Sequence, residues 1–133
     1  SNLYIIGTMN TADRSLALVD YALRRRFSFI TLKPAFGTKK FNNYLQNKME
    51  LDSEQIEKIN SRLIKTNNII RDTLGEEFEI GHSYFIEDIE NIQDFNTWYN
   101  EIINYEILPL IEEYFFDDLD IVEELKMILG DTI

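Results

Sequence analysis

Pro34 constrains the fold most, because the pattern of apolar residues changes there. Before it, β-branched and aromatic residues cluster at residues 3–6 and 27–32, which is typical of strands. A proline cannot donate a ladder hydrogen bond, so it ends the second of these runs. After it, apolar residues recur at three- and four-residue spacing, which is typical of helices. The chain is therefore predicted to be mostly α: a strand-loop-helix-strand remnant of an α/β sheet over 1–34, followed by an all-α unit over 35–133.

The first unit has the pattern of part of an open parallel sheet. The run Leu-Tyr-Ile-Ile at residues 3–6 leads directly into Gly7 and a polar loop, which predicts a strand buried on both faces. A helix capped by Ser15 is expected to continue through Arg26, and the second strand follows it. Two strands do not make a stable sheet alone, so we expect further strands of this sheet upstream.

The second unit is predicted to be a bundle of four or five helices. Asp52 and Gln55 form a plausible capping pair for a long helix, and Gly75 is a natural stop for it. The other helices are expected over residues 38–49, from about residue 94, from Pro109 and over 119–129. Aromatic side chains from Phe95 to Tyr105 are expected to lie in the core.

Composition limits the partners of this chain. Thirteen basic against twenty-four acidic residues give a net charge of -11, so most of the surface should repel a nucleic acid duplex. Without cysteine there is no disulfide framework or thiolate metal site, and a single histidine cannot form a histidine cluster. No apolar run approaches the roughly 18 to 20 residues needed to cross a bilayer. We expect no metal site, no membrane contact and a cytoplasmic location.

The loop at residues 7–15 could carry chemistry, because it follows the carboxyl end of a predicted buried strand, where open α/β sheets place their ligands. The amide of Asn10 could hold an attacking water or a phosphate oxygen, and Asp13 could orient the partners. Alternatively, both are ordinary turn and cap residues.

Two further groups have both a functional and a structural interpretation. Arg24, Arg25 and Arg26 could form a solvated cluster at a helix C-terminus, where the helix dipole favours cations. One of them could instead stabilise the charge on a transferring phosphoryl group in a neighbouring subunit, while contact with nucleic acid is disfavoured by the net charge. His82 and Ser83 follow a glycine at a predicted helix start, where they could face an anion or pack into the core.

Three segments together resemble a known family. Residues 9–29 read MNTADRSLALVDYALRRRFSF, residues 80–85 read IGHSYF and residues 109–118 read PLIEEYFFDD. In order and spacing they resemble the C-terminal part of the GTPase subunit of modified-cytosine-specific restriction enzymes, the McrB family of AAA+ proteins. The resemblance implies that residues 1–34 belong to the AAA+ core and residues 35–133 to its helical lid.

The resemblance also implies roles for individual residues. Asn10 matches the sensor-1 position, which contacts the γ-phosphate or the attacking water. Asp13 would support water positioning and Arg14 would bridge protomers at the nucleotide interface. Among the arginines, Arg25 and Arg26 match the trans-acting finger positions best, and Arg24 is a bystander. The remaining pair, His82 and Ser83, falls where the lid approaches the nucleotide, although no arginine stands there to act as an ordinary second sensor.

For the parent protein, the resemblance implies GTP and Mg²⁺ as cofactors. The implied partners are neighbouring AAA+ protomers in a hexameric ring and a nuclease subunit, with DNA bound through a separate N-terminal domain. However, these 133 residues contain no G-x-x-x-x-G-K-[ST] loop and no apolar strand ending in paired acidic residues. We therefore expect no cofactor to bind this chain alone and no hydrolysis by it.

Three functional hypotheses remain open from the sequence. The chain could be a piece of an active motor, with residues that act only in the assembled ring. It could instead be a truncated interaction module that binds intact subunits through the Arg25 and Arg26 edge or through the lid. It could also belong to a related AAA+ ATPase outside restriction.

Overall fold

The computed structural model describes residues 2–10, 21–86, 92 and 94–130. The chain divides into two compact units, Ser1–Leu32 and Lys33–Ile133. This division lies two residues before the boundary predicted at Pro34. Regular structure in the described residues is helical throughout, so the mostly α character is confirmed.

The first unit contains one short described helix, α1 (Tyr21–Arg24). The predicted helix from Ser15 to Arg26 is seen only from residue 21, since residues 11–20 lie outside the described ranges. Neither residues 3–6 nor residues 27–32 form a strand, so the predicted strand-loop-helix-strand arrangement is not confirmed.

The apolar run at residues 3–6 is exposed, which corrects the prediction of burial on both faces. Leu3 is 77% exposed and Ile6 is 93% exposed. A strand of this kind is buried only by neighbouring strands and by helices across the sheet. The described residues provide no such neighbours, and the run therefore presents its apolar side chains to solvent.

The second unit begins with two capped helices, α2 (Lys39–Asn47) and α3 (Ser53–Thr73). Thr38 caps α2, its hydroxyl oxygen accepting the Phe41 N–H at 3.3 Å. At α3, Asp52 Oδ1 accepts the Gln55 N–H at 2.9 Å, and Gln55 Oε1 accepts the Asp52 N–H at 3.0 Å. The predicted capping pair is therefore confirmed, and it satisfies two donors that the helix itself leaves unpaired.

Gly75 ends α3 as predicted. Its N–H donates to the Arg71 carbonyl at 3.1 Å, and its backbone has φ +121°, a conformation that side chains disfavour. A Cβ atom there would lie 2.6 Å from a carboxylate oxygen of Glu77. After this turn come two short 3₁₀ helices, Glu76–Phe78 and His82–Phe85.

A continuous helical segment contains α4 (Phe95–Ile102), a π-helical turn (Ile103–Ile107) and α5 (Leu108–Tyr114). Pro109 stands in the first turn of α5 and has no N–H to give to the preceding turn, which favours the wider π geometry there. The wider turn rotates the following side chains. Tyr105 is consequently 78% exposed, which corrects its predicted place in the core.

The last helix, α6 (Leu119–Leu129), completes the bundle. Asp118 caps it, accepting the Ile121 N–H at 3.3 Å. The helix packs against both α3 and α5. Its final carbonyl, that of Leu129, accepts the Tyr99 hydroxyl at 2.9 Å and an Arg62 N–H at 3.0 Å. The end of α6 is therefore tied to α3 and α4.

The longest described helix is α3, with 21 residues. It is amphipathic, with isoleucine and leucine on the buried side and lysine, arginine and glutamate on the other. In the ranges that the structure describes, no helix has the combination of length and apolar character needed to span a membrane.

Candidate functional site

The predicted site residues of the first unit lie partly within the described ranges. Asn10 is exposed in the irregular segment at residues 2–10. Arg24 ends α1, and Arg25 and Arg26 follow it in an exposed turn. Asp13 and Arg14 lie outside the described residues. Their predicted roles beside the nucleotide therefore stay predictions.

In the second unit, His82 and Ser83 open the 3₁₀ helix His82–Phe85, directly after Gly81. The Ser83 side chain is exposed and His82 is half-buried. His82 Nδ1 accepts the Ala35 N–H at 3.1 Å. Its ring packs edge-on against Phe41, with the ring centroids 5.6 Å apart. The structure therefore places both residues together at the helix start and gives His82 a defined packing role.

A buried asparagine on α3 holds the segment that presents His82. Asn67 Oδ1 accepts the Ile80 N–H at 2.7 Å, and Asn67 Nδ2 donates to the Ile80 carbonyl at 2.9 Å. Asn67 is 3% exposed and Ile80 is 1% exposed, so both backbone groups of Ile80 depend on this side chain for satisfaction. The backbone is thus held to α3 at Ile80, two residues before His82.

A second buried asparagine of α3 holds the segment that precedes α2. Asn60 Oδ1 accepts the Gly37 N–H at 2.8 Å, and Asn60 Nδ2 donates to Asn42 Oδ1 at 2.8 Å. Gly37 itself has φ +78°, which a glycine adopts without strain. Because His82 also accepts the Ala35 N–H, this segment is held at both Ala35 and Gly37.

The two clamping asparagines were missed by sequence reasoning, although a signal for them exists. Asn60 and Asn67 are seven residues apart, and both fall on the apolar stripe that includes Ile59, Leu63 and Ile70. A polar side chain at such a position must find a hydrogen-bond partner inside the protein. That requirement predicts that each asparagine has a hydrogen-bond partner inside the protein, but it does not identify the partner.

An ion pair from α3 supports the same segment. The Arg71 guanidinium donates to the carboxylate of Glu79, which is the residue before Ile80. This hydrogen bond, reinforced by the charge of Glu79, raises the pKa of Arg71 above its ordinary value. The Glu79 side chain is 9% exposed, whereas that of Arg71 is 50% exposed. The pair therefore adds orientation more than stability, as half-exposed ion pairs generally do.

Two polar side chains are the chemical groups at this site. His82 and Ser83 supply hydrogen-bonding groups on a backbone that is fixed by Asn67. Within the described ranges, no group of three or more histidine, aspartate or glutamate side chains is placed to hold a metal ion.

Removing the Asn67 clamp is expected to destabilise the second unit. Asn67→Ala would leave the buried Ile80 N–H and carbonyl without partners and should lower the free energy of unfolding by about 3 kcal/mol. Urea unfolding followed by circular dichroism measures this value. Asn68→Ala is the matched control, because Asn68 is exposed on the same helix and should change stability by no more than about 0.5 kcal/mol. Equal effects of the two changes would contradict the clamp.

Comparison with known proteins identifies the second unit. The family model described as McrB, alpha-helical lid domain, matches residues 54–123, which extend from α3 into α6. The chain is also 51% identical over 124 residues to the Type IV methyl-directed restriction enzyme EcoKMcrB subunit of Escherichia coli (strain K12). That match covers 88% of this chain and 26% of the relative, so the chain spans about a quarter of the length of the curated protein it matches. The chain belongs to the McrB family and contains its α-helical lid domain.

Proposed function

We propose that this chain supplies the sensor-1, trans-acting arginine and lid elements of an AAA+ motor subunit that hydrolyses GTP to power restriction of DNA containing modified cytosine. The observation that carries the proposal is the 51% identity over 124 residues to a methyl-directed restriction subunit. Since that match covers 88% of the chain, it includes residues of both units. The lid match over residues 54–123 supports the same assignment for the second unit.

In this proposal, residues 1–34 belong to the AAA+ core. Asn10 contacts the γ-phosphate or the attacking water, and Asp13 helps to position that water. Arg14 bridges neighbouring protomers. Arg25 and Arg26, which are exposed, act in trans on the nucleotide of a neighbour.

The lid, residues 35–133 in this proposal, approaches the same nucleotide with His82 and Ser83. The clamp between Asn67 and Ile80 supports this role, because a ligand-binding group must be held in place by its surroundings. Ser83 is exposed and thus accessible to a ligand. The phosphate-gripping elements and the Mg²⁺ ligands would come from residues outside this chain.

The proposed partners are neighbouring AAA+ protomers in a ring and the nuclease subunit of the restriction complex. DNA would be bound by a separate N-terminal domain, since the acidic surface of this chain is unsuited to binding phosphates. The proposed location is the cytoplasm, where GTP, Mg²⁺ and the DNA substrate are present.

Calorimetry on the 133-residue chain tests whether nucleotide binding requires residues outside this chain. With millimolar GTP and Mg²⁺ we expect no heat of binding, because the chain contains no G-x-x-x-x-G-K-[ST] loop to cradle the phosphates. The full-length subunit under the same conditions is the positive control. Tight, saturable binding by the 133-residue chain would contradict the proposal, because the chain would then hold a complete nucleotide site.

A second candidate function is that of an interaction module which binds intact subunits. The apolar side chains of Leu3, Ile6 and Ile30 are between 77% and 93% exposed, and they could be covered either by another protein or by further strands of the AAA+ sheet. The DNA directly upstream discriminates between the two functions. An in-frame phosphate-binding loop supports the motor, whereas a stop codon and an independent start support the module. Assignment to a related ATPase outside restriction is tested by asking whether the full-length protein prefers ATP to GTP.

A further inference from the structure

The hydrogen bond of His82 determines which ring nitrogen carries the proton. His82 Nδ1 accepts the Ala35 N–H at 3.1 Å. An imidazole nitrogen accepts a hydrogen bond only through its lone pair, so this nitrogen is unprotonated. In the neutral ring the proton must then be on Nε2, which becomes a hydrogen-bond donor.

Aromatic packing holds the plane of the His82 ring. The His82 ring meets Phe41 at a centroid distance of 5.6 Å and an interplanar angle of 71°. It meets Phe36 at 6.5 Å and 87°. Phe41 is 3% exposed and Phe36 is 8% exposed, so neither ring can move aside freely. Turning the imidazole over within this plane would break the bond to Ala35.

Both backbone segments that meet at the ring are fixed to α3. Ile80, two residues before His82, is bound at its N–H and carbonyl by Asn67. Gly37, two residues after Ala35, is bound by Asn60. The ring therefore links two immobilised segments through Nδ1. Among the described residues, the hydrogen-bond partner of the ring is the Ala35 N–H, which meets Nδ1, and Nε2–H has none.

We propose that His82 is a relay: its Nε2–H donates to an acceptor oxygen of a phosphate-bearing ligand, while Nδ1 holds the backbone of Ala35. This inference rests on the proposed position of His82 beside the nucleotide. Hydrogen bonds in a chain polarise one another, so an oxygen that accepts from Nε2–H makes Nδ1 a better acceptor. Ligand binding thus tightens the segment through which the chain enters α2. In this tautomer His82 is a donor to the ligand and is not a general base.

The tautomer can be measured directly in the ligand-free chain. With ¹⁵N-labelled histidine, long-range ¹H–¹⁵N correlation spectra distinguish a protonated from an unprotonated ring nitrogen, and the single histidine gives an unambiguous signal. We expect unprotonated Nδ1 and protonated Nε2 in the neutral ring. A proton on Nδ1 would overturn the inference, whatever the outcome of the experiments on GTP turnover.

Two variants separate the two functions of the ring. His82→Asn places an amide oxygen near the position of Nδ1, so it should keep the hold on Ala35 and lose the distal donor. His82→Gln places its amide NH₂ near the position of Nε2 and should do the reverse. Amide hydrogen exchange at Ala35 is expected to accelerate about fivefold to tenfold in His82→Gln and to stay near the wild-type rate in His82→Asn. Unchanged protection of the Ile80 amide shows that the fold is intact.

The proposed contact between His82 Nε2–H and the ligand, the ligand half of the relay, is tested in the full-length subunit with GTP and Mg²⁺. Amide hydrogen exchange in the peptide containing Ala35 should slow when the wild-type subunit binds nucleotide. This slowing should be lost in His82→Asn. If GTP binds and the peptide does not respond, the relay is wrong although the proposed function stands. If the full-length protein binds no GTP, the proposed function fails, and with it the ligand half of the relay, whereas the tautomer result is unaffected.

Discussion

Replacing Arg26 with alanine in the full-length subunit is expected to lower maximal GTP turnover about a thousandfold while changing the Kd for GTP less than about threefold. A finger arginine stabilises charge that develops on the transferring phosphoryl group, so its removal affects the transition state more than the bound ground state. The exposed position of Arg26 beyond the end of α1 leaves its guanidinium accessible to a partner. Steady-state turnover and equilibrium binding of a GTP analogue measure the two quantities separately.

The same helix end offers matched controls for this prediction. Arg25→Ala tests the other candidate finger and should show the same separation of turnover from affinity if Arg25 acts on the nucleotide. Arg24→Ala removes an identical charge from the last residue of α1 and is expected to leave turnover within about threefold. Equal losses of turnover and affinity in Arg26→Ala would indicate a folding defect and would contradict the finger role.

Truncating Phe85 is expected to have the largest effect on stability. Its side chain is fully buried, and its ring contacts Phe36, Trp98 and Tyr99 at centroid distances of 5.9, 6.0 and 6.3 Å. Phe85→Ala would leave a cavity where the candidate site meets α4 and should lower the free energy of unfolding by about 3–5 kcal/mol. Denaturant unfolding followed by the fluorescence of the single tryptophan, Trp98, reports on this region directly.

Phe116→Ala is the matched control, because the same side chain is 78% exposed at that position. It should change the free energy of unfolding by no more than about 0.5 kcal/mol. If both substitutions destabilise the chain equally, the packing described around Phe85 is wrong.

The parts of the fold that could be predicted depend on local interactions. The capping box of Asp52 and Gln55 uses groups three residues apart, and the stop at Gly75 reflects one backbone conformation. Pro109 opens α5 because its ring suits the first turn of a helix. In each case the stabilising partner lies within a few residues, so the sequence pattern contains the whole interaction.

Features that could not be predicted depend on distant partners. A strand at residues 3–6 requires neighbouring strands, and no periodicity within the run shows whether those neighbours are present. Tyr105 leaves the core because the turn before Pro109 widens to π geometry, which shifts the helical register on which the prediction relied.

The residues of the candidate site could be predicted, but their hydrogen-bond partners could not. The IGHSYF segment identified His82 and Ser83, yet the partner of His82 is a backbone N–H 47 positions away, at Ala35. The clamps at Asn60 and Asn67 likewise join α3 to backbone groups 23 and 13 positions away. Such pairings are set by tertiary packing, which a single sequence does not display.

The central claim is that this chain completes the nucleotide site of a neighbouring subunit, and mixing two defective full-length subunits tests it most directly. One carries Arg26→Ala with an intact phosphate-binding loop, and the other carries Arg26 with that loop's lysine replaced by alanine. Each alone should hydrolyse GTP at the background rate. The mixture should regain turnover, because the second subunit supplies Arg26 to the loaded site of the first. A mixture that assembles and binds GTP but stays at background, or an Arg26→Ala subunit that is fully active alone, would contradict the claim.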